Sequence, residues 1–126
     1  MLKPLLASLT MAAALLAAPV FAQDLTPNGT WVDQWGTTFT FELCGDGTQL
    51  CGVLNDIQGE SRTEENLAFV DEQVVAADQV APNQWEGQIA LNGGTATAKV
   101  EMIDENTLTI TGCQFIICNS IEYVRA

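Results

Sequence analysis

Alternation of apolar and polar residues with a period of two runs through the chain from about residue 37 to its end. In Thr37–Leu43, Phe39, Phe41 and Leu43 fall on one face, and Thr38, Thr40 and Glu42 on the other. Trp85–Leu91 alternates in the same way, with Ile89 and Leu91 on the apolar face. Ala96–Met102 repeats the pattern through Ala96, Ala98, Val100 and Met102, and Thr107–Thr111 through Leu108 and Ile110. A period of two is the signature of strands with one face buried. Turn residues separate these runs: Gly45-Asp46-Gly47, Asn92-Gly93-Gly94 and Asp104-Glu105-Asn106. Short strands joined by tight turns predict an all-β meander. Wrapping that sheet on itself buries every apolar face and removes the edges. The expected fold is therefore a small up-and-down antiparallel β-barrel of about eight strands.

Ser61–Pro82 departs from this clarity. Leu67, Val70, Val74 and Ala77 sit at helical spacing, whereas Leu67–Val70 and Gln73–Val75 also read as strand. The expectation is a strand near 67–75, preceded by a mobile acidic loop at 58–66.

The N-terminus changes the boundaries. After Lys3, residues 5–18 are apolar except for Ser8 and Thr10, and Val20-Phe21-Ala22 places small residues at the −3 and −1 positions of a cleavage site. This pattern predicts a secretory signal peptide, residues 1–22. The apolar run falls short of the roughly 20 residues that span a bilayer. Residues 23–126 then form a single domain, periplasmic or secreted. Cleavage removes one of four basic residues, Lys3, and leaves three against sixteen acidic ones, a formal charge of −13. Such a surface repels nucleic-acid phosphates and anionic membranes. It favours solubility or a basic partner.

Four cysteines in an exported chain predict two disulfides, with three connectivities. Cys113 and Cys118 bracket a four-residue connection, Gln114–Ile117, before the last strand, and pairing neighbours, Cys44 with Cys51 and Cys113 with Cys118, closes short loops. Crossed pairing closes loops nearly tenfold longer and costs about 2 kcal/mol more closure entropy; it stays open if folding precedes oxidation. Neither spacing is the C-x-x-C of a redox helix, and the 44–51 pair is wide for a zinc site.

The chain has no histidine, so Ser61 and Ser120 lack the usual activating base. Lys99 shares a polar face with Thr95, Thr97 and Glu101 rather than an apolar setting. Asp56, Glu60, Glu64 and Glu65 cluster without calcium-loop spacing. The expectation is no catalytic residue, no metal and no cofactor.

Asn28-Gly29-Thr30-Trp31 opens the domain and Arg125 nearly closes it. A G-x-W on the first strand with a late basic residue on the last resembles the lipocalin-like (calycin) barrels. There an arginine lies across the tryptophan and closes one barrel end, which implies that role for Gly29, Trp31 and Arg125. A wider set resembles the DUF2147 family of small secreted bacterial proteins: G-x-W, Cys44 with Leu50-Cys51-Gly52, Trp85-Glu86-Gly87 and Tyr123-Val124-Arg125. The family's W-x-G-G reads Trp85-Glu86-Gly87-Gln88 here, and this chain has only Asp56 to Asn66 where the family has a longer middle loop. The resemblance implies a lipocalin-like barrel and no particular activity.

By analogy with lipocalins, the barrel is expected to hold a small hydrophobic molecule. Its interior lining would be Phe39, Phe41, Leu43, Ile89, Ala96, Ala98, Val100, Met102, Leu108 and Ile110, with a filled interior as the rival outcome. The second expectation is a monomeric protein-interaction module binding another envelope protein, such as a protease inhibitor using Gln23–Asn28. A third is an envelope structural protein without a ligand. Trp85 is expected in the core or at the barrel rim, and Trp35, beside Gly36, exposed as a binding candidate.

Overall fold

A computed structural model describes residues 25–91 and 93–126, and the expected signal peptide lies outside the described residues. The alternating segments form eight strands: β1 (Gly29–Val32), β2 (Thr38–Cys44), β3 (Gln49–Asp56), β4 (Gln73–Ala81), β5 (Gln84–Leu91), β6 (Gly94–Asp104), β7 (Thr107–Gln114) and β8 (Ile117–Arg125). Each pairs antiparallel with the next, and β8 returns to β1, closing the barrel. The fold is the all-β up-and-down barrel that the alternation predicts.

The segment between β3 and β4 corrects the expectation of a strand near 67–75. Gly59–Ser61 is a 3-10 turn and Glu64–Leu67 one turn of α-helix, while the strand begins only at Gln73. The Thr63 side chain accepts from the Asn66 amide and caps the short helix, as a threonine before two glutamates should. Asn66 is buried and its side chain donates to the Ser61 carbonyl at 2.8 Å. Leu67, Phe69 and Val70 pack against the core. Of the helically spaced residues only Leu67 lies in the helix; Val70 is in the turn after it, and Val74 and Ala77 belong to β4, because the segment crosses a barrel end before the chain rejoins the sheet.

The core fills the cylinder. Trp31, Phe39, Phe41, Leu50, Leu54, Val75, Trp85, Val100, Leu108 and Tyr123 are all buried. Phe39 stacks on Phe41 and meets Tyr123 edge-on, both with centroids 5.6 Å apart. Gly52 lies opposite Phe41, and a Cβ there would strike the Phe41 ring. Up-and-down topology sends the β2–β3, β4–β5 and β6–β7 turns to the end that holds the chain termini of the barrel. The β1–β2 loop, residues 57–72, and the β5–β6 and β7–β8 turns share the opposite end.

The closure is uneven. β7 and β8 are in register over eight residue pairs, from Thr107↔Val124 to Gln114↔Ile117. β8 and β1 share only Trp31↔Arg125 and Val32↔Val124. Beyond Val124 the β7–β8 hairpin runs on without a neighbour on its β1 side among the described residues.

Candidate functional site

Three places carry the sequence-derived candidates: the terminal closure, the interior and the stapled hairpins. At the closure the Arg125 guanidinium lies 4.3 Å from the centre of a Trp31 ring. It donates to the carbonyls of Glu105 (3.0 Å), Asn28 (2.7 Å) and Thr26 (3.0 Å). Trp31 Nε1 donates to the Pro27 carbonyl at 2.9 Å. One arginine thus ties the β6–β7 turn and the strand entry over an indole face, an arrangement suited to its fixed fork of donors. Gly29 has φ 139°, and a Cβ there would press on the guanidinium. Residues 25–28 are therefore strapped to the barrel end, with Pro27 fully buried, while Gln23 and Asp24 of the candidate inhibitory segment lie outside the described residues.

Most of the candidate interior lining is packed, whereas Leu43 lines, with Trp85, a cleft of about 550 Å³ at the end of the barrel that holds the β2–β3 turn. Phe39, Phe41, Ala98, Val100, Met102, Leu108 and Ile110 are buried, and Phe41, Ala98 and Leu108 have no accessible surface at all. A side chain with no accessible surface lines no void that admits water. Leu43, Ile89 and Ala96 are half-buried, towards the ends of the strands. The Tyr123 phenol sits in this interior. Burial pushes its pKa well above the ordinary tyrosine value, and the Asp33 carboxylate adds to the effect.

Both disulfides join sequence neighbours, Cys44–Cys51 and Cys113–Cys118. Cys113 and Cys118 are directly opposed on β7 and β8. The residues between them, expected as a four-residue connection, continue both strands through Gln114↔Ile117 and leave a two-residue turn, Phe115-Ile116. Phe115 has φ 57°, in the left-handed region that costs a non-glycine residue about 1–2 kcal/mol. Phe115 and Ile116 are almost completely exposed, and Ile117 is 67% exposed. The sequence reading passed over this tip. The signal was available: four residues between two cysteines, three of them large and apolar, with no Gly, Asn, Asp or Pro to make the turn.

Beside the tip lies the open seam. Trp35 is half-exposed, packed on Gly59, and Asp33 Oδ1 fixes its loop by accepting from the amides of Trp35 (2.8 Å) and Thr37 (2.9 Å). Between this loop and β8 is a cleft of about 280 Å³, lined by Asp33, Gln34, Trp35, Ser120, Ile121 and Glu122 among others. No group of three or more His, Cys, Asp or Glu among the described residues is placed to hold a metal ion. No helix of the described residues is long and apolar enough to cross a membrane.

Fold and site together define a disulfide-stapled, closed eight-strand antiparallel barrel with a packed interior and one apolar hairpin tip. No family model matches the chain, and neither a curated protein nor a solved structure matches it.

Proposed function

We propose that this is an exported protein-interaction module of the lipocalin-like kind that its G-x-W and DUF2147-like residues resemble, and that it binds a protein partner through the β7–β8 tip. The observation that carries the reading is the exposure of Phe115, Ile116 and Ile117 on a covalently clamped hairpin. Each such side chain gains about 1.5–3 kcal/mol when buried, so leaving three in water is costly unless something covers them. A left-handed phenylalanine at the apex adds strain of the sort that collects at functional positions. Two disulfides support an oxidising compartment, in keeping with the expected signal peptide. The packed interior weighs against the small-molecule carrier, and the strapped residues 25–28 against inhibition through that segment. The absence of histidine supports binding over catalysis.

The test is a photoreactive residue at Ile116, incorporated in the producing cell. The expected result is a discrete protein adduct that is absent when the same residue replaces Glu105 at the opposite barrel end. An adduct to lipid alone, or saturable binding of a fluorescent fatty acid to the delipidated protein, would overturn the reading.

A further inference from the structure

The tip sits on a strand whose other side is paired with β1 only at Val124 and Arg125 among the described residues. The Ala126 amide donates to the Thr30 carbonyl at 2.8 Å, so in β8 the even-numbered residues aim their backbone groups towards β1. Val124 faces Val32, but β1 ends there. The N–H and C=O groups of Glu122, Ser120 and Cys118 consequently face the open seam, with no backbone partner among the described residues. Their odd-numbered neighbours are bonded to β7. Edges like this are usually blunted by proline, lysine or a bulge. Ile117–Glu122 has no proline, no lysine and an unbroken register with β7.

We propose that the β8 edge from Cys118 to Glu122 takes up an extended, basic polypeptide segment as an added antiparallel strand, with one apolar side chain entering the cleft beside Trp35. The lane is the one β1 vacates, and main-chain pairing along such an edge supplies affinity while alternate side chains supply choice. The cleft's roughly 280 Å³ is several times the ~30 Å³ share of a water molecule, and Trp35 and Ile121 give it apolar walls. Charge selects the occupant. Asp33 and Glu122 lie at the cleft, and the chain carries a net charge of −12, which attracts a basic segment and repels a second copy using the same edge. This inference rests on the protein-binding reading and names the partner's chemistry.

Amide hydrogen exchange on the intact protein tests it. The probes are an eight-residue peptide alternating lysine and valine, and its glutamate-valine counterpart. In free protein the Ser120 and Glu122 amides should exchange much faster than Asn119 and Ile121. The lysine peptide should slow Ser120 and Glu122 by about tenfold or more, and the glutamate peptide should leave them unchanged. Ser120→Pro removes the backbone donor on the open side and keeps the backbone bonds to β7, losing there only the hydroxyl contact with Thr111, and should abolish the protection at Glu122. A lysine-valine peptide N-methylated at alternate residues gives the same control without altering the protein. Equal protection by both peptides, or protection that survives N-methylation, would overturn the proposal. So would slow exchange that appears with rising protein concentration alone, which marks pairing between copies. Ile116→Ser should leave the peptide effect intact, so failure of the edge and failure of the tip are read separately.

Discussion

At one end of the barrel Cys44–Cys51 clamps the tip Gly45–Thr48, and at the other Cys113–Cys118 clamps Gln114–Ile117. The first tip is built from turn chemistry. Gly45 and Gly47 take positive φ, Gly47 donates to the Cys44 carbonyl, and Asp46 accepts from both the amide (3.0 Å) and hydroxyl (2.7 Å) of Thr48. It is also anchored to the core, because Trp85 Nε1 donates to the Thr48 carbonyl at 2.8 Å. The second tip has none of these: no glycine, no side-chain turn bond, and apolar side chains in solvent. The same covalent device therefore reinforces a turn that local chemistry already favours in one case. In the other it holds a turn that local chemistry opposes.

The largest expected effect lies under the polar tip. Trp85→Ala deletes a buried indole and its bond to Thr48, and should cost about 3–5 kcal/mol, read as a lower urea midpoint. Ile116→Ser, at the apolar tip, should stay within about 0.5 kcal/mol of wild type. Comparable losses from the two would mean that the apolar tip is supported by the fold after all.

Next come the staples. By loop length, Cys44→Ser with Cys51→Ser, and Cys113→Ser with Cys118→Ser, should each cost about 2–2.5 kcal/mol. The global losses should match while the local ones differ. Without Cys113–Cys118 the Ile117 amide should lose its protection from exchange, whereas without Cys44–Cys51 the Gly47 amide, bonded to Cys44, should keep most of its own. Fraying of both tips alike would erase the distinction drawn above.

How much of this was legible beforehand follows the same division. The strands read out because a closed barrel imposes one rule, apolar inward at every second residue, and Phe39, Phe41, Val100 and Met102 obey it. Neighbour pairing of the cysteines followed from closure entropy. Residues 59–72 did not read out, because a segment that caps a barrel end answers to both periods: Leu67 packs on the core from a helical turn and Val70 from the non-helical turn that follows it. The apolar tip was missed for a different reason. Gln114–Ile117 reads as a connection between the cysteines, and the register shows that it narrows to a two-residue reversal at Phe115-Ile116 with apolar side chains outward. The open seam was invisible for the same cause, since where β1 stops relative to β8 is set by the Asp33 turn and not by hydrophobicity.

A smaller effect tests the apex itself. Phe115→Gly exchanges a left-handed phenylalanine for the residue that adopts φ 57° freely. Relief of about 1–2 kcal/mol, less the greater chain entropy of glycine, should leave the protein more stable by about 0.5–1 kcal/mol. The same variant should lose the cross-link at position 116 if the aromatic side chain is part of the contact. A gain in stability with loss of binding is what strain kept for function predicts. A loss of stability would mean that Phe115 is supported by packing.

The smallest effect separates the tips by pH. Hydrogen bonds from the Thr48 hydroxyl, then from its amide, hold the Asp46 carboxyl below the ordinary aspartate range. A depressed folded value means the carboxylate's contribution is complete above the unfolded value and is lost as pH falls through the folded one. Because Asp46 is fully exposed, the consequence is local, and the carboxyl carbon shift followed by NMR is the fitting measurement. Its midpoint should lie below the ordinary value and move back up in Thr48→Ala, with the Thr48 amide losing protection relative to its intrinsic exchange rate as Asp46 protonates. Over the same range the Ile117 amide should keep its protection relative to intrinsic exchange, because Gln114–Ile117 contains nothing that titrates. A tip held by polar bonds loosens when its acceptor is protonated, whereas a tip held by a disulfide yields only to a reductant. An Asp46 midpoint at or above the ordinary value, or an Ile117 amide that follows the acid titration, would show that the two hairpins are not held by different means.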